Sequence, residues 1–190
     1  MKTWRGFSLV ELLVGMAILG VLLAIAMPAF SNWLRNARVR TAAESVQNGL
    51  QLARAEAVRR NTTIRFQLVD TTDDSCALST AGPNWVVSFD PPVGACATPP
   101  SDTVAPRIIQ SRSGAEGSSA TTLTADQSTL VFNSLGRTTG NVVIDVASAT
   151  GELCLVDGGP IRCLRIMVSL GGQIRMCDLA LAVGDAQACT

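Results

Sequence analysis

Hydrophobic residues dominate the start of the chain. Residues 12–34 form a run without one charged side chain. A helix rises about 1.5 Å per residue, and about 20 apolar residues cross the hydrocarbon core of a bilayer. The run therefore predicts a membrane-spanning helix. Pro28 predicts a kink within it, because proline removes a backbone donor and clashes with the preceding turn.

A second pattern, with apolar residues every three or four positions, begins at Val39. Steps of this size place one apolar stripe along a helix. Glu56 and Arg60 stand four residues apart, a spacing that favours an ion pair on a helix. The pattern stops near Asn61, so one long helix over residues 7–60 is predicted. The stripe consists of Val39, Ala42, Ala43, Val46, Leu50, Ala53 and Ala57.

Beyond Asn61 the sequence alternates between apolar and polar residues, which is the period of a β-strand. Ile64, Phe66 and Leu68 begin this pattern. The Ser-, Gly-, Ala- and Thr-rich stretch 113–128 is interpreted as a flexible surface loop. The amphipathic half of the helix is expected to pack on a sheet. Further strands are predicted at 85–89, 106–111, 129–134, 141–147, 152–156, 161–170 and 173–177.

The distribution of charged residues excludes some classes of function. The chain has 15 basic and 15 acidic residues, but residues 61–190 carry seven arginines against twelve acids. This acidic excess argues against a general nucleic-acid binder. The chain has no histidine, which excludes a Ser-His-Asp triad and any histidine-containing metal site. We therefore predict no enzymatic activity, no cofactor and no metal site.

The six cysteines all lie beyond the apolar run, and none forms a CxxC pair. An even number in this position favours disulfides in an oxidising compartment, with buried free thiols as the alternative. A hairpin centred on residues 158–159 would place Cys154 opposite Cys163, within disulfide range. Six cysteines allow fifteen pairings, so the other two pairs stay open. The candidates for them are Cys177 with Cys189 and Cys76 with Cys96.

A short basic leader precedes the apolar run. Lys2 and Arg5 place the N-terminus in the cytoplasm by the positive-inside tendency, so the C-terminal part lies across the membrane. The run ends in MPAFSNWLRN rather than in the small residues of a secretory cleavage site. The apolar segment is therefore expected to be retained.

The segment RGFSLVELL resembles the class III signal of type IV pilins and type II secretion pseudopilins, with matches at Gly6, Phe7, Leu9, Glu11 and Leu12. The resemblance implies that a prepilin peptidase cuts after Gly6 and that the new N-terminal Phe7 is N-methylated. It also implies that Glu11 neutralises the Phe7 amine during assembly, since an unpaired buried charge is costly. The alternative for Glu11 is a carboxylate that reaches the membrane surface without a role.

The remaining sequence narrows this resemblance. NGLQLARAEAVRRNTTIRF, the Trp85 strand and VSLGGQIRMCD resemble the GspH/FimT family of minor pilins and pseudopilins. The family has a type IV pilin-like α+β fold, in which a long N-terminal helix packs on antiparallel β-sheets. The domains implied for this bacterial inner-membrane protein are a leader at 1–6, a transmembrane or filament-core helix at 7–34, an amphipathic helical half at 35–61 and a periplasmic β-rich domain at 62–190.

Three arginines near the C-terminus are candidates for DNA contact. Arg162, Arg165 and Arg175 fall in the stretch 158–177, which contains no acid. FimT-like pilins of naturally competent bacteria resemble one another in a GRxR motif implicated in DNA binding. Residues 172–175 here read GQIR, so a glutamine replaces the first arginine. The alternative is that these arginines are ordinary solvated charges on strands.

Three functions follow from the resemblance. The first is a structural minor pilin that helps to initiate or cap a type IV pilus. The resemblance of the sequence of residues 48–66 favours this function. The second is a GspH-like minor pseudopilin of a type II secretion system. The third is a DNA-binding minor pilin for natural transformation. The expected partners are other minor pilins or pseudopilins, the major pilin, the prepilin peptidase and the inner membrane, with DNA the least favoured.

Overall fold

A computed structural model describes residues 8–114 and 120–189, without the side chain of Pro28. Helix α1 spans Leu9–Arg59. The chain divides into two compact units, and the boundary falls within α1, between Leu34 and Arg35. The single long helix predicted from the sequence is confirmed over the described residues, and it ends beside Asn61, whose φ of 48° is incompatible with continued helix.

Short strands follow the helix, separated by loops. Those in the described residues are β1 Ile64–Val69, β2 Asn84–Ser88, β3 Ile108–Arg112, β4 Thr121–Ala125, β5 Thr129–Phe132, β6 Val142–Ser148, β7 Leu164–Val168 and β8 Ile174–Asp178. They form two four-stranded sheets, ordered β3-β2-β1-β5 and β4-β6-β7-β8. Every strand pairing is antiparallel, so the α+β fold with antiparallel sheets is confirmed.

The core of the second unit lies between the C-terminal half of α1 and the two sheets. The helical stripe predicted from the sequence is buried in full, from Val39 to Ala57, and it packs with apolar residues of both sheets. A smaller buried cluster forms around the first disulfide, with Val69, Val86 and Ile108. Burial alternates along β4, β5 and β6, as expected for half-buried strands. Strands β1 and β2 are buried on both faces, since α1 covers one face and the cluster around the first disulfide the other.

Two aromatic rings mark the contact between the helix and the first sheet. The Phe66 and Trp85 rings lie 5.6 Å apart between centroids, and Trp85 donates its Nε1–H to Ser45 Oγ at 3.3 Å. A Cβ at Gly49 would lie 2.9 Å from an atom of either ring. Glycine at this position therefore allows α1 and the sheet to approach closely.

Two of the predicted elements are wrong. The stretch 113–128 was interpreted as a loop, but residues 121–125 form β4, which pairs with β6. The three threonines of its sequence TTLTA fit a strand once β6 is beside them, because β-branched side chains pack well on a pleated surface. The predicted strand at 152–156 is a loop with one turn of 3₁₀ helix, Leu155–Asp157, and the strand that follows begins at Leu164.

Candidate functional site

The first unit presents an apolar surface. The described side chains from 8 to 30 are exposed, and this helix is the one among the described residues that is long and apolar enough to cross a membrane. No atom lies within 4 Å of a Cβ built at Gly15 or Gly20. Small residues on such a surface permit close approach of another helix. The kink at Pro28 stays a prediction.

Glu11 lies in the first turn of this helix. Its backbone N–H donates to Ser8 Oγ at 3.4 Å, and its carboxylate accepts the Ser8 backbone N–H at 3.5 Å. This reciprocal pair is a capping box, which satisfies two of the free donors at a helix start. The S-x-x-E spacing of residues 8–11 is the sequence signature of this cap, which the sequence-based prediction of the helix missed. The Glu11 carboxylate therefore contacts Ser8, the residue that directly follows Phe7.

The processing site lies outside the described residues. Gly6 and Phe7 precede the described part of the chain. Cleavage after Gly6, methylation of Phe7 and pairing of its amine with Glu11 therefore stay predictions.

The six cysteines form three disulfides in the second unit. Cys76 is joined to Cys96, Cys154 to Cys163 and Cys177 to Cys189, with no free cysteine among the described residues. These are the pairs suggested from the sequence. The first joins the β1–β2 loop to the β2–β3 loop. The third fastens the C-terminal tail to β8, where Asp178 and Ala188 also form a bridge.

The geometry expected around Cys154–Cys163 is wrong, although the pair is joined. No hairpin places the two residues opposite each other; instead Cys154 forms a parallel bridge with Ile161. Gly158 adopts a φ of 84°, and a Cβ at Gly159 would overlap the Leu153 carbonyl oxygen at 2.0 Å. The loop thus folds back on itself, which only glycines at these positions permit.

The three candidate DNA-contacting arginines are engaged within the protein. Arg165 lies opposite Asp145 across β6 and β7 and donates to both carboxylate oxygens, at 2.6 and 2.9 Å. Arg162 lies 3.5 Å from Asp178, and Arg175 donates to two backbone carbonyls of the C-terminal tail. Acids that lie outside the stretch 158–177 therefore face two of the three arginines and lower the net positive charge of the patch. Contact of these arginines with DNA stays a prediction.

Comparisons with known proteins agree with this architecture. Residues 42–172 match the family model described as Type II transport protein GspH, and residues 5–27 match the prokaryotic N-terminal methylation motif. The first match covers more than half of the chain, so it identifies the family.

Matches to individual proteins cover a short part of the chain or have low sequence identity. The chain is 41% identical over 66 residues to the pilin-like protein PilA1 of Thermus thermophilus, which covers 35% of this chain and 41% of that protein. It thus aligns with about two fifths of that relative. The crystal structure of the type IV minor pilin FimU of Pseudomonas aeruginosa matches with a TM-score of 0.51 and 19% identity, over 73% of this chain and 87% of that one. With this fold, the methylation motif and the family match, the chain belongs to the GspH/FimT family of minor pilins and pseudopilins.

Proposed function

We propose that this protein is a structural subunit that helps to initiate or cap a type IV pilus. The observation that carries the proposal is the exposed apolar helix with Glu11 in its first turn, joined to a disulfide-bonded β unit. A soluble protein would bury such a helix, whereas a filament core covers it with the equivalent helices of other subunits. The family is a structural one, which favours a role without catalysis.

Processing comes first in this proposal. The methylation motif supports cleavage after Gly6 by a prepilin peptidase and methylation of Phe7. Until assembly, the apolar half would anchor the chain in the bacterial inner membrane, with the β unit on the periplasmic side. Intact-mass analysis of protein extracted from native membranes is expected to show N-methyl-Phe7 as the first residue. A form that retains Met1–Gly6, or that is cut after Ala29, would contradict this.

Glu11 then acts in assembly. In a filament core, the Phe7 amine and the Glu11 carboxylate would both be removed from water, where an unpaired charge costs several kcal/mol. Glu11→Val should leave membrane insertion intact because it removes a charge from an apolar segment. Recovery in sheared filaments should fall at least about tenfold, the factor that corresponds to 1.4 kcal/mol.

Glu44→Val is the matched control, because it removes a carboxylate from the same helix outside the apolar half. Glu44 pairs with Arg40 at 2.9 Å on an exposed face. It should be recovered at the level of the unmodified protein. Equal recovery of Glu11→Val and Glu44→Val would refute the pairing role of Glu11.

A type II secretion pseudopilin is the second candidate, and the description of the matching family model supports it. Both machines use the same kind of N-terminal helix, so the distinction needs a deletion strain. Loss of surface pili with normal protein secretion supports the pilus. Loss of secretion with normal pili supports the pseudopilus and overturns the first candidate.

A further inference from the structure

A disulfide-closed loop in the second unit exposes aliphatic side chains. The loop runs from Glu152 to Pro160 and contains the 3₁₀ turn Leu155–Asp157, none of whose residues is buried. Leu153, Leu155 and Val156 are 62%, 45% and 57% exposed. Three aliphatic side chains within four residues, on a loop held by the Cys154–Cys163 bond, form an apolar tip that the fold itself does not cover.

The loop is fastened to the residues that directly follow the apolar run. Glu152 lies 3.0 Å from the Arg35 guanidinium. The Asn36 side chain donates to the Pro160 carbonyl at 3.4 Å and accepts the Arg162 backbone N–H at 2.8 Å. Arg35 and Asn36 thus hold both ends of the loop, although more than 100 positions separate them from it in the sequence.

Arg35 and Asn36 directly follow the apolar run that is proposed to span the membrane. Arg35 is the first charged residue after the uncharged run 12–34. Trp33 is 64% exposed and its ring lies 5.9 Å from that of Phe30, so an aromatic pair closes the run. Tryptophan is enriched at the membrane–water interface, because its ring is apolar and its N–H is polar. If residues 12–34 span the bilayer as proposed, chain continuity puts Arg35 and Asn36 next to the lipid headgroups, together with the loop that they bind.

The ionic groups beside the loop are paired within the protein. Glu152 is paired with Arg35, and Arg162 with Asp178. Asp157 adds one negative charge at the tip. Among these described residues the negative charges outnumber the positive ones, so the loop offers a membrane aliphatic area and not positive charge.

We propose that the loop 152–160 is a membrane-surface contact, which inserts Leu153, Leu155 and Val156 among the headgroups while the subunit awaits assembly. The inference rests on the proposed membrane anchorage of residues 12–34. Because the contact is apolar, it should be insensitive to salt and should form equally on phosphatidylcholine and on phosphatidylglycerol, unlike a polybasic contact. Contact through the loop would hold the β unit against the membrane before assembly.

The test reconstitutes the full chain in bilayers of phosphatidylcholine that contain a lipid with a photoactivatable group at the upper acyl chain. After irradiation, mass spectrometry maps the labelled peptides. We expect label in the span 12–34 and in the loop 152–160, with several-fold less in the tail 180–189. That tail is a matched control because it also has an exposed aliphatic residue, Val183, at 89% exposure.

Two variants give a second readout. Val156→Trp and Val183→Trp each add a tryptophan at an exposed site, and brominated lipid should quench the added fluorescence only in Val156→Trp. Label in 12–34 but not in 152–160, or equal quenching of the two variants, overturns the loop contact and leaves the anchor intact. Absence of label from 12–34 overturns the anchor as well. Cross-linking of the loop to a second copy of the chain, without lipid label, makes the tip a protein interface and also overturns the inference.

Discussion

Gly49 has a hydrogen atom where α1 faces the Phe66 and Trp85 rings. A Cβ there would lie 2.9 Å from Phe66 Cε2 and from Trp85 Cη2, and both rings are almost fully buried. Gly49→Ala gains up to about 1 kcal/mol of helix propensity, but overpacking of a filled core costs about 1–3 kcal/mol. We expect the free energy of unfolding of the second unit to fall by about 1 kcal/mol, measured by denaturant unfolding with the disulfides intact.

Gly140→Ala is the control for this substitution. Its Cβ would meet Gln127 Nε2 at 3.7 Å, an ordinary contact, so stability should change by less than about 0.5 kcal/mol. A Gly49→Ala protein at least as stable as the unmodified one would show that the rings move aside.

The period of the sequence predicted the apolar stripe around Gly49, but it did not predict this close contact. The two rings come from strands whose position over the helix depends on tertiary packing.

At the scale of elements, a group of ion pairs stabilises the C-terminal end of α1. Glu56 lies 2.6 Å from both Arg59 and Arg60, and Arg60 also reaches Asp102 at 2.7 Å. The hydrogen bond from Arg59, followed by that from Arg60, lowers the pKa of Glu56 below its ordinary value of 4.5. A lowered folded-state pKa contributes stability above about pH 4.5, and this contribution is lost as the pH falls through the folded-state value.

Glu56→Gln tests this contribution. The variant keeps the shape of the side chain without its charge, so at pH 7 it should lower the free energy of unfolding by about 1 kcal/mol. At pH 3, well below the ordinary value of 4.5, the difference from the unmodified protein should be smaller, because the contribution of the charged Glu56 is lost as the pH falls through its lowered folded-state pKa. Thermal unfolding at both pH values measures it. A difference of the same size at pH 3 would mean that packing, and not charge, explains the effect.

Elements with a strong period were predictable, and elements that depend on distant partners were not. The helical stripe and β1 alternate cleanly along the sequence, so their own residues specify them. Strand β4 has a Ser- and Thr-rich context typical of a loop, and it becomes a strand because β6 pairs with it. The loop 152–160 was predicted as a strand for a related reason. Its conformation depends on Asn36 and Arg35, which hold it from more than 100 residues away.

At the scale of the whole molecule, the candidate sites differ in how far the sequence could predict them. The motif around Glu11 is local, so its residues could be named directly. The three cysteine pairs were suggested correctly, but the sequence left two of them open, and the hairpin expected for Cys154 and Cys163 does not form. The basic patch is different, because its charge depends on which acids the fold brings beside it. The stretch 158–177 contains no acid, yet Asp145 arrives on β6 and Asp178 from the end of β8.

This neutralisation predicts weak DNA binding. Even if Arg162, Arg165 and Arg175 each exchanged their partners for a phosphate, about three contacts would give a slope of about −2.7 for log K against log salt. The acidic excess of residues 61–190 opposes even this, so the dissociation constant near physiological salt should be about 10⁻⁴ M or weaker. Gel shifts with the full chain in detergent, across a salt series, measure both quantities.

Two variants test whether one arginine makes a dedicated phosphate contact. Arg175→Gln and the exposed control Arg137→Gln should each change the DNA affinity little and by similar amounts, since neither removes such a contact. Nanomolar binding at about 0.15 M salt that Arg175→Gln abolishes and Arg137→Gln retains would require a specific phosphate site at β8 and would make DNA uptake the leading function.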